Sequence, residues 1–158
     1  MTSTSVEIKE LATSEEIAGA FPVMKELRPH LTPQTYEELL TAMQPEGYRL
    51  FAALEGDQIV ALAGVAFHTN LYYGSYLWVY ELITTEASRS RGHGVALMDH
   101  LEAMARDRGC DTIALSSGLK RVDAHRFYED KVGFEKNSYA FTKPLKGKPF
   151  MPAPDPSA

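Results

Sequence analysis

Val6, Ile8 and Leu11 place apolar side chains in a short alternating run, which predicts a first strand. "TSEE" follows, and Thr13 with Glu16 has the spacing of a capping box. Ile17, Phe21, Met24 and Leu27 then recur at helical spacing, with Pro22 set to kink or split that helix. Thr32 before Pro33 marks a second start, and Tyr36, Leu39, Leu40 and Met43 form its stripe. "YRLFAALEGDQIVALAGVAF" reads as two strands around a turn at Glu55 to Asp57, and Ser75 to Thr84 as a third strand completing a meander.

After residue 84 the periods change. Val95, Met98, Leu101, Met104 and Ala105 put an apolar stripe on a helix that Arg106, Arg108 and Gly109 suit at its C-terminal end. "TIALS" is a short buried strand, "VDAHRFYEDK" a helix and "NSYAFTKPL" a last strand. The proline-rich stretch "KGKPFMPAPDPSA" is expected to be a disordered tail over 146–158, leaving one domain over 1–145. The sum is an α/β domain with a mixed sheet.

Composition narrows the chemistry. The 158 residues suit one domain, and 44% hydrophobic with 23% charged is ordinary for a globular protein. A net charge of -5 and a pI near 5.5 speak against nucleic acid as the main partner. No apolar run reaches membrane-spanning length and no leader layout is present, so the expectation is a cytoplasmic protein without a membrane partner. Cys110 stands alone, and His93 and His100 lack a third ligand, so no metal is expected.

"ASRSRGHGVALM" joins the third strand of the meander to the next helix. The first amides of that helix lack intrahelical partners, and with the helix dipole they form an anion site. Glycines 92 and 94 are expected to let a phosphate reach those amides, and Arg89 and Arg91 to add charge. The loop is not a P-loop, because Val95 and Ala96 follow Gly94 where lysine and a hydroxyl residue are needed. Nor is it a dinucleotide fingerprint: residues 84 to 91 intervene after the strand, position 97 is Leu97, and Asp111 precedes its strand.

Arg89-Ser90-Arg91-Gly92-His93-Gly94 resembles the acetyl-CoA loop of the GCN5-related N-acetyltransferase (GNAT) family. That loop reads arginine or glutamine, two residues, glycine, one residue, then glycine or alanine. "AHRFYEDKVGF", Ala124 to Phe134, resembles a second element of the family, in the expected order. Arg121 stands where the family often has asparagine, and four residues rather than three separate Tyr128 from Gly133. The resemblance covers about residues 6 to 145. It implies a mostly antiparallel sheet of six to seven strands, about four flanking helices, and a splay between strands four and five that admits the thioester. It also implies that Leu82, Ile83 and Thr84 pair with the pantetheine arm, while Ser90 to Val95 cradle the pyrophosphate, His93 through its backbone amide.

Acetyl transfer needs a neutral amine and a proton for the departing thiolate. Tyr128 matches the family's general acid, and a phenol keeps its proton at neutral pH; the alternative is a core tyrosine with a satisfied hydroxyl. Glu81 lies in a strand apolar on both faces, Trp78, Tyr80 and Leu82 on one and Leu77, Val79 and Ile83 on the other. Desolvation there would make it a base for an ammonium substrate. An ion pair with Arg49 or Arg121 is the alternative role. The expected activity is direct acetyl transfer from acetyl-CoA to a primary amine on a small molecule, with a protein lysine or N-terminal amine as runner-up. A non-catalytic acyl-CoA sensor and a nucleotide-dependent enzyme are the rivals, and a homodimer stays open. "RPHLTPQTYEEL" is expected to border the acceptor, and the aromatic run "NLYYGSYLWVY" to be core and sheet cover whose outer end could shape the acceptor pocket.

Overall fold

A computed structural model of the chain describes residues 6–89, 91–117 and 121–150. Ser90 and most of the expected tail, 151–158, lie outside the described residues. The strands are β1 (Glu7–Leu11), β2 (Arg49–Glu55), β3 (Gln58–Asn70), β4 (Gly74–Thr84) and β5 (Thr112–Leu115). The helices are α1 (Ser14–Gly19), α2 (Phe21–Leu27), α3 (Pro33–Met43), α4 (His93–Asp107) and α5 (Val122–Arg126). Among the described residues these strands form one open sheet in the order β1-β2-β3-β4-β5, antiparallel except for the parallel β4–β5 pair.

Local chemistry sets several boundaries as expected. Thr13 and Glu16 close the capping box of α1, and Thr32 with Thr35 closes another at α3. Pro22 sits in the first turn of α2, where its missing N–H is tolerated, so the chain breaks into α1 and α2. Gly109 after α4 takes a φ of +76°.

The sheet separates two cores. One face packs Leu50, Ala52, Leu62 and Ile83 against Ala20, Met24, Tyr36 and Leu40 of the first helices. The other packs Phe51, Ala63, Val65, Leu77 and Val79 under Leu97, Met98 and Leu101 of α4. Leu97, absent from the expected stripe, is fully buried.

Three expectations are corrected. The expected six to seven strands are five among the described residues, flanked by five helices, because Asn137 to Leu145 forms no strand. Alternation becomes a strand only where a neighbouring edge accepts its hydrogen bonds. Here Tyr139 and Phe141 stay exposed at 75% and 94%. The helix expected from Val122 to Lys131 is α for only five residues and then widens into a π turn, Phe127–Lys131, with Val132 N–H donating to the Phe127 carbonyl at 3.3 Å. A π turn takes up one surplus residue, which accounts for the longer spacing from Tyr128 to Gly133.

The third concerns β4. Its register against β3 slips between Gly64 and Val65, so that Glu81 faces Gly64 while Val79 faces Val65. Tyr80 is the extra residue of this β-bulge. Strict alternation would put Glu81 with Leu77 and Val79 under α4; the bulge moves it to the opposite face, beside Tyr80 and Tyr48. Among the described residues no helix is long and apolar enough to cross a membrane.

Candidate active site

β4 and β5 pair only from Tyr76 to Val79 against Thr112 to Leu115. β4 runs on to Thr84, so among the described residues the edge of Tyr80 to Thr84 away from β3 carries no strand. Such a gap between strands four and five is what the family resemblance implies, and it leaves the side of Leu82, Ile83 and Thr84 away from β3 on an open edge. Around it converge the bulge, the start of α4 and the π turn.

Gly92 caps α4 with a φ of +82°, among the described residues no side-chain hydrogen bond caps the helix, and the space where a Cβ would stand is open. Gly94 also meets a packing requirement. It is buried, and a Cβ there would stand 3.2 Å from Phe127 Cζ and 3.4 Å from Thr84 Oγ1. Its missing side chain lets the π turn pack on the end of β4. Val95 follows, half-buried, in the first turn of α4.

The two cations of the loop are placed differently from each other. Arg89 is exposed. Arg91 Nη2 lies 3.1 Å from the Glu55 carboxylate, and the buried His93 ring lies 3.5 Å from the same group. The His93 side chain therefore closes the loop onto the β2–β3 hairpin, while its amide belongs to the open helix end. Glu55, expected only as a turn residue, gathers both. A separate open cleft of about 670 Å³ beside Thr85 and Glu86 carries the carboxylates of Glu26, Asp57 and Glu86, which makes it a poor host for a diphosphate.

Glu81 Oε2 accepts a hydrogen bond from Tyr48 Oη at 2.7 Å. Burial pushes its carboxyl above the ordinary range, against the opposing pull of the Tyr48 hydroxyl and the Arg28 charge. Neither arginine expected as a partner fills that role for Glu81: Arg49 binds Glu10 through two bonds of 3.0 and 2.8 Å, and Arg121 sits beside Tyr128. Arg28, at the end of α2, instead donates from Nη2 to the Tyr80 carbonyl at 3.0 Å and holds the bulge.

Gly64 is the counterpart of this arrangement. A Cβ on it would overlap both Tyr48 Oη and Glu81 Oε2. A glycine inside a strand signals a bulge or a close approach, and here it marks both.

Tyr128 is 8% exposed, its ring between those of Phe127 and Phe134. Burial raises the phenol's pKa, and the charges of Arg121 and Arg28 pull it back. Arg28 thus acts electrostatically on both Glu81 and Tyr128. Tyr48, Arg28 and Glu55 are the residues that sequence reasoning missed. Only Arg28 had a signal, its place in the segment expected to border the acceptor.

Comparison with known proteins agrees with this geometry. The model of the acetyltransferase (GNAT) family matches residues 10–134. The uncharacterized N-acetyltransferase YhdJ of Bacillus subtilis (strain 168) is 44% identical over 141 residues, covering 89% of this chain and 99% of the relative. The aminoalkylphosphonate N-acetyltransferase of Salmonella typhimurium is 29% identical over 139 residues, 85% of this chain and 88% of its own length. Among solved structures, a transcriptional regulator from Bacillus halodurans C-125 superposes with a TM-score of 0.78 at 26% identity, over 89% of this chain and 100% of its own.

Proposed function

The chain belongs to the GNAT acetyltransferase family and is an acetyl-CoA-dependent N-acetyltransferase; from that premise we propose that it acetylates a primary amine on a small molecule by direct attack in a ternary complex. The observation that carries the reading is a half-buried carboxylate, Glu81, held by Tyr48 beside the open edge of β4. The small-molecule acceptor is supported by the relative named for aminoalkylphosphonate.

Acetyl-CoA, when bound, supplies an activated acetyl thioester. Leu82, Ile83 and Thr84 offer it backbone pairing along the free edge of β4. The uncapped start of α4 at Gly92, His93, Gly94 and Val95 fits a diphosphate, with Arg89 and Arg91 adding charge and Ser90 completing the loop. Arg91 meets a diphosphate in competition with its ion pair to Glu55.

The acceptor arrives as an ammonium and must lose a proton before it can attack. Glu81 takes that proton, directly or through water, and its raised pKa narrows the gap to an amine. Tyr128 keeps its proton at neutral pH and delivers it from Oη to the departing sulfur. Residues 1–145 are the working domain in this reading, and 146–158 are dispensable to it.

A thiol-release assay with acetyl-CoA across small amines and peptides tests the proposal. Release with one or more small amines, and a loss of about a hundredfold in kcat on Tyr128→Phe with acetyl-CoA binding intact, is the expected result. Release with peptides alone, or an unaltered kcat in Tyr128→Phe, overturns it.

A further inference from the structure

The bulge leaves a run of aromatic rings that the chemistry at Glu81 does not use. Tyr73 and Tyr76 stand 5.1 Å apart, and Tyr76, Trp78 and Tyr80 follow at 6.5 Å intervals. Tyr80 then meets Tyr48 at 5.7 Å, and Tyr48 is the residue bound to Glu81. The first four rings are half-buried, so each keeps a surface open to solvent. A strand normally presents every second residue to one face. The even positions 76, 78 and 80 do so, and the bulge then brings residue 81 to the same side. The ladder therefore ends at the carboxylate.

Ring faces are negative and the ring edges positive, so a cation over a face is attracted while an anion is repelled. The carboxylates nearby have the matching sign. Glu81 closes the inner end, and Glu46 is near enough to act, after burial, on the Tyr80 hydroxyl. Arg28 is the opposing charge, and its Nη2 is engaged with the Tyr80 carbonyl. His68 lies on the same rings, with Nε2 2.9 Å from Tyr80 Oη. Apart from Arg28, whose Nη2 is already engaged, none of these groups suits a phosphonate or carboxylate on the acceptor.

We propose that the ring ladder Tyr73–Tyr76–Trp78–Tyr80 is the acceptor-binding wall, and that it selects an organic ammonium with an apolar or aromatic body and no anionic group. The inference rests on the acetyltransferase reading given above and names its substrate class. A guest whose body stacks on Tyr76 and Trp78 presents its nitrogen toward Tyr80 and Glu81, where the proton is to be removed.

Trp78 is the only tryptophan in the chain, so its emission reports the wall directly. The full-length protein is titrated with phenyltrimethylammonium, which cannot be acetylated, and with benzyl alcohol as the neutral counterpart. Turnover is compared for 2-phenylethylamine and 2-aminoethylphosphonate. Saturable change of Trp78 emission by the cation but not the alcohol, with 2-phenylethylamine preferred at least tenfold in kcat/KM, is expected. Tyr76→Leu should raise the amine KM about tenfold with the acetyl-CoA KM unchanged, and Tyr76→Phe should restore it, since the ring face is what binds. Equal response to the alcohol, preference for the phosphonate, or an amine KM indifferent to Tyr76→Leu overturns the inference. The two readings fail separately: turnover without dependence on the rings removes the wall alone, whereas cation binding with no turnover of any amine removes the catalytic reading and leaves the wall.

Discussion

Three residues, Tyr48, Glu81 and Gly64, meet where β3 and β4 slip past each other, and each can be changed alone. Tyr48 donates to the Glu81 carboxylate and so favours its charged form. Tyr48→Phe removes that donor, the Glu81 pKa rises further, and the acid limb of the kcat/KM profile moves to higher pH; a limb that stays put separates Glu81 from the rate. Gly64→Ala forces a methyl between the same two groups. Its loss of kcat should shrink when introduced into Tyr48→Phe, because half of the clash is already gone, and a double-mutant cycle with no coupling would contradict that geometry. None of this is legible along the chain. Tyr48 and Glu81 are 33 positions apart, and Arg28 and Tyr80 are 52 apart, so neither pair leaves a local spacing to read. Tyr128 and the Arg89-to-Gly94 loop were legible because their residues are neighbours in sequence.

Elements whose limits are set by adjacent residues match their sequence patterns. The Thr13 box, the Pro22 break and the Gly109 cap are of this kind. Those set by distant partners do not: the slip in β4 depends on what β3 offers opposite, and the stretch from Asn137 to Leu145 finds no edge. The two glycines at the start of α4 show how similar letters serve different elements. Gly92→Ala places a side chain at a φ of +82° with room around it. The strain is about 1 kcal/mol, a fall in Tm of about 3 °C, and the acetyl-CoA KM should rise. Gly94→Ala pushes on Phe127 and so displaces the turn that carries Tyr128. Its loss should fall on kcat, and steady-state kinetics of the pair that show the same KM effect for both would refute the division.

Across the molecule, carboxylates pull the pH dependence of stability in opposite directions. Glu16 is lowered to about 2 by Lys9 and by the amides of Thr13 and Ala12, and Glu10 is lowered by Arg49. Their contributions are present above 4.5 and vanish as acid protonates them, so the first edge of the sheet loosens on acidification. Glu81 is raised, so its contribution is present below 4.5 and disappears as pH climbs through its higher folded value. Glu81→Gln should therefore raise Tm at pH 7 and give no gain at pH 4, while abolishing turnover; thermal melts at the two pH values check the sign. Ending the chain after Leu145 removes the edge contact of Phe150 on His30, whose ring centroids lie 5.3 Å apart. The shortened protein should keep its kcat and melt within about 2 °C of the full chain.

One surplus residue in β4 decides on which side of a wall the charge of Glu81 resides. Were β4 to pair with β3 without that slip, the same letters would steer the acid into the grease beneath α4, beside Leu97 and Leu101. The chain would then carry an unpaid ion where it now keeps a proton acceptor.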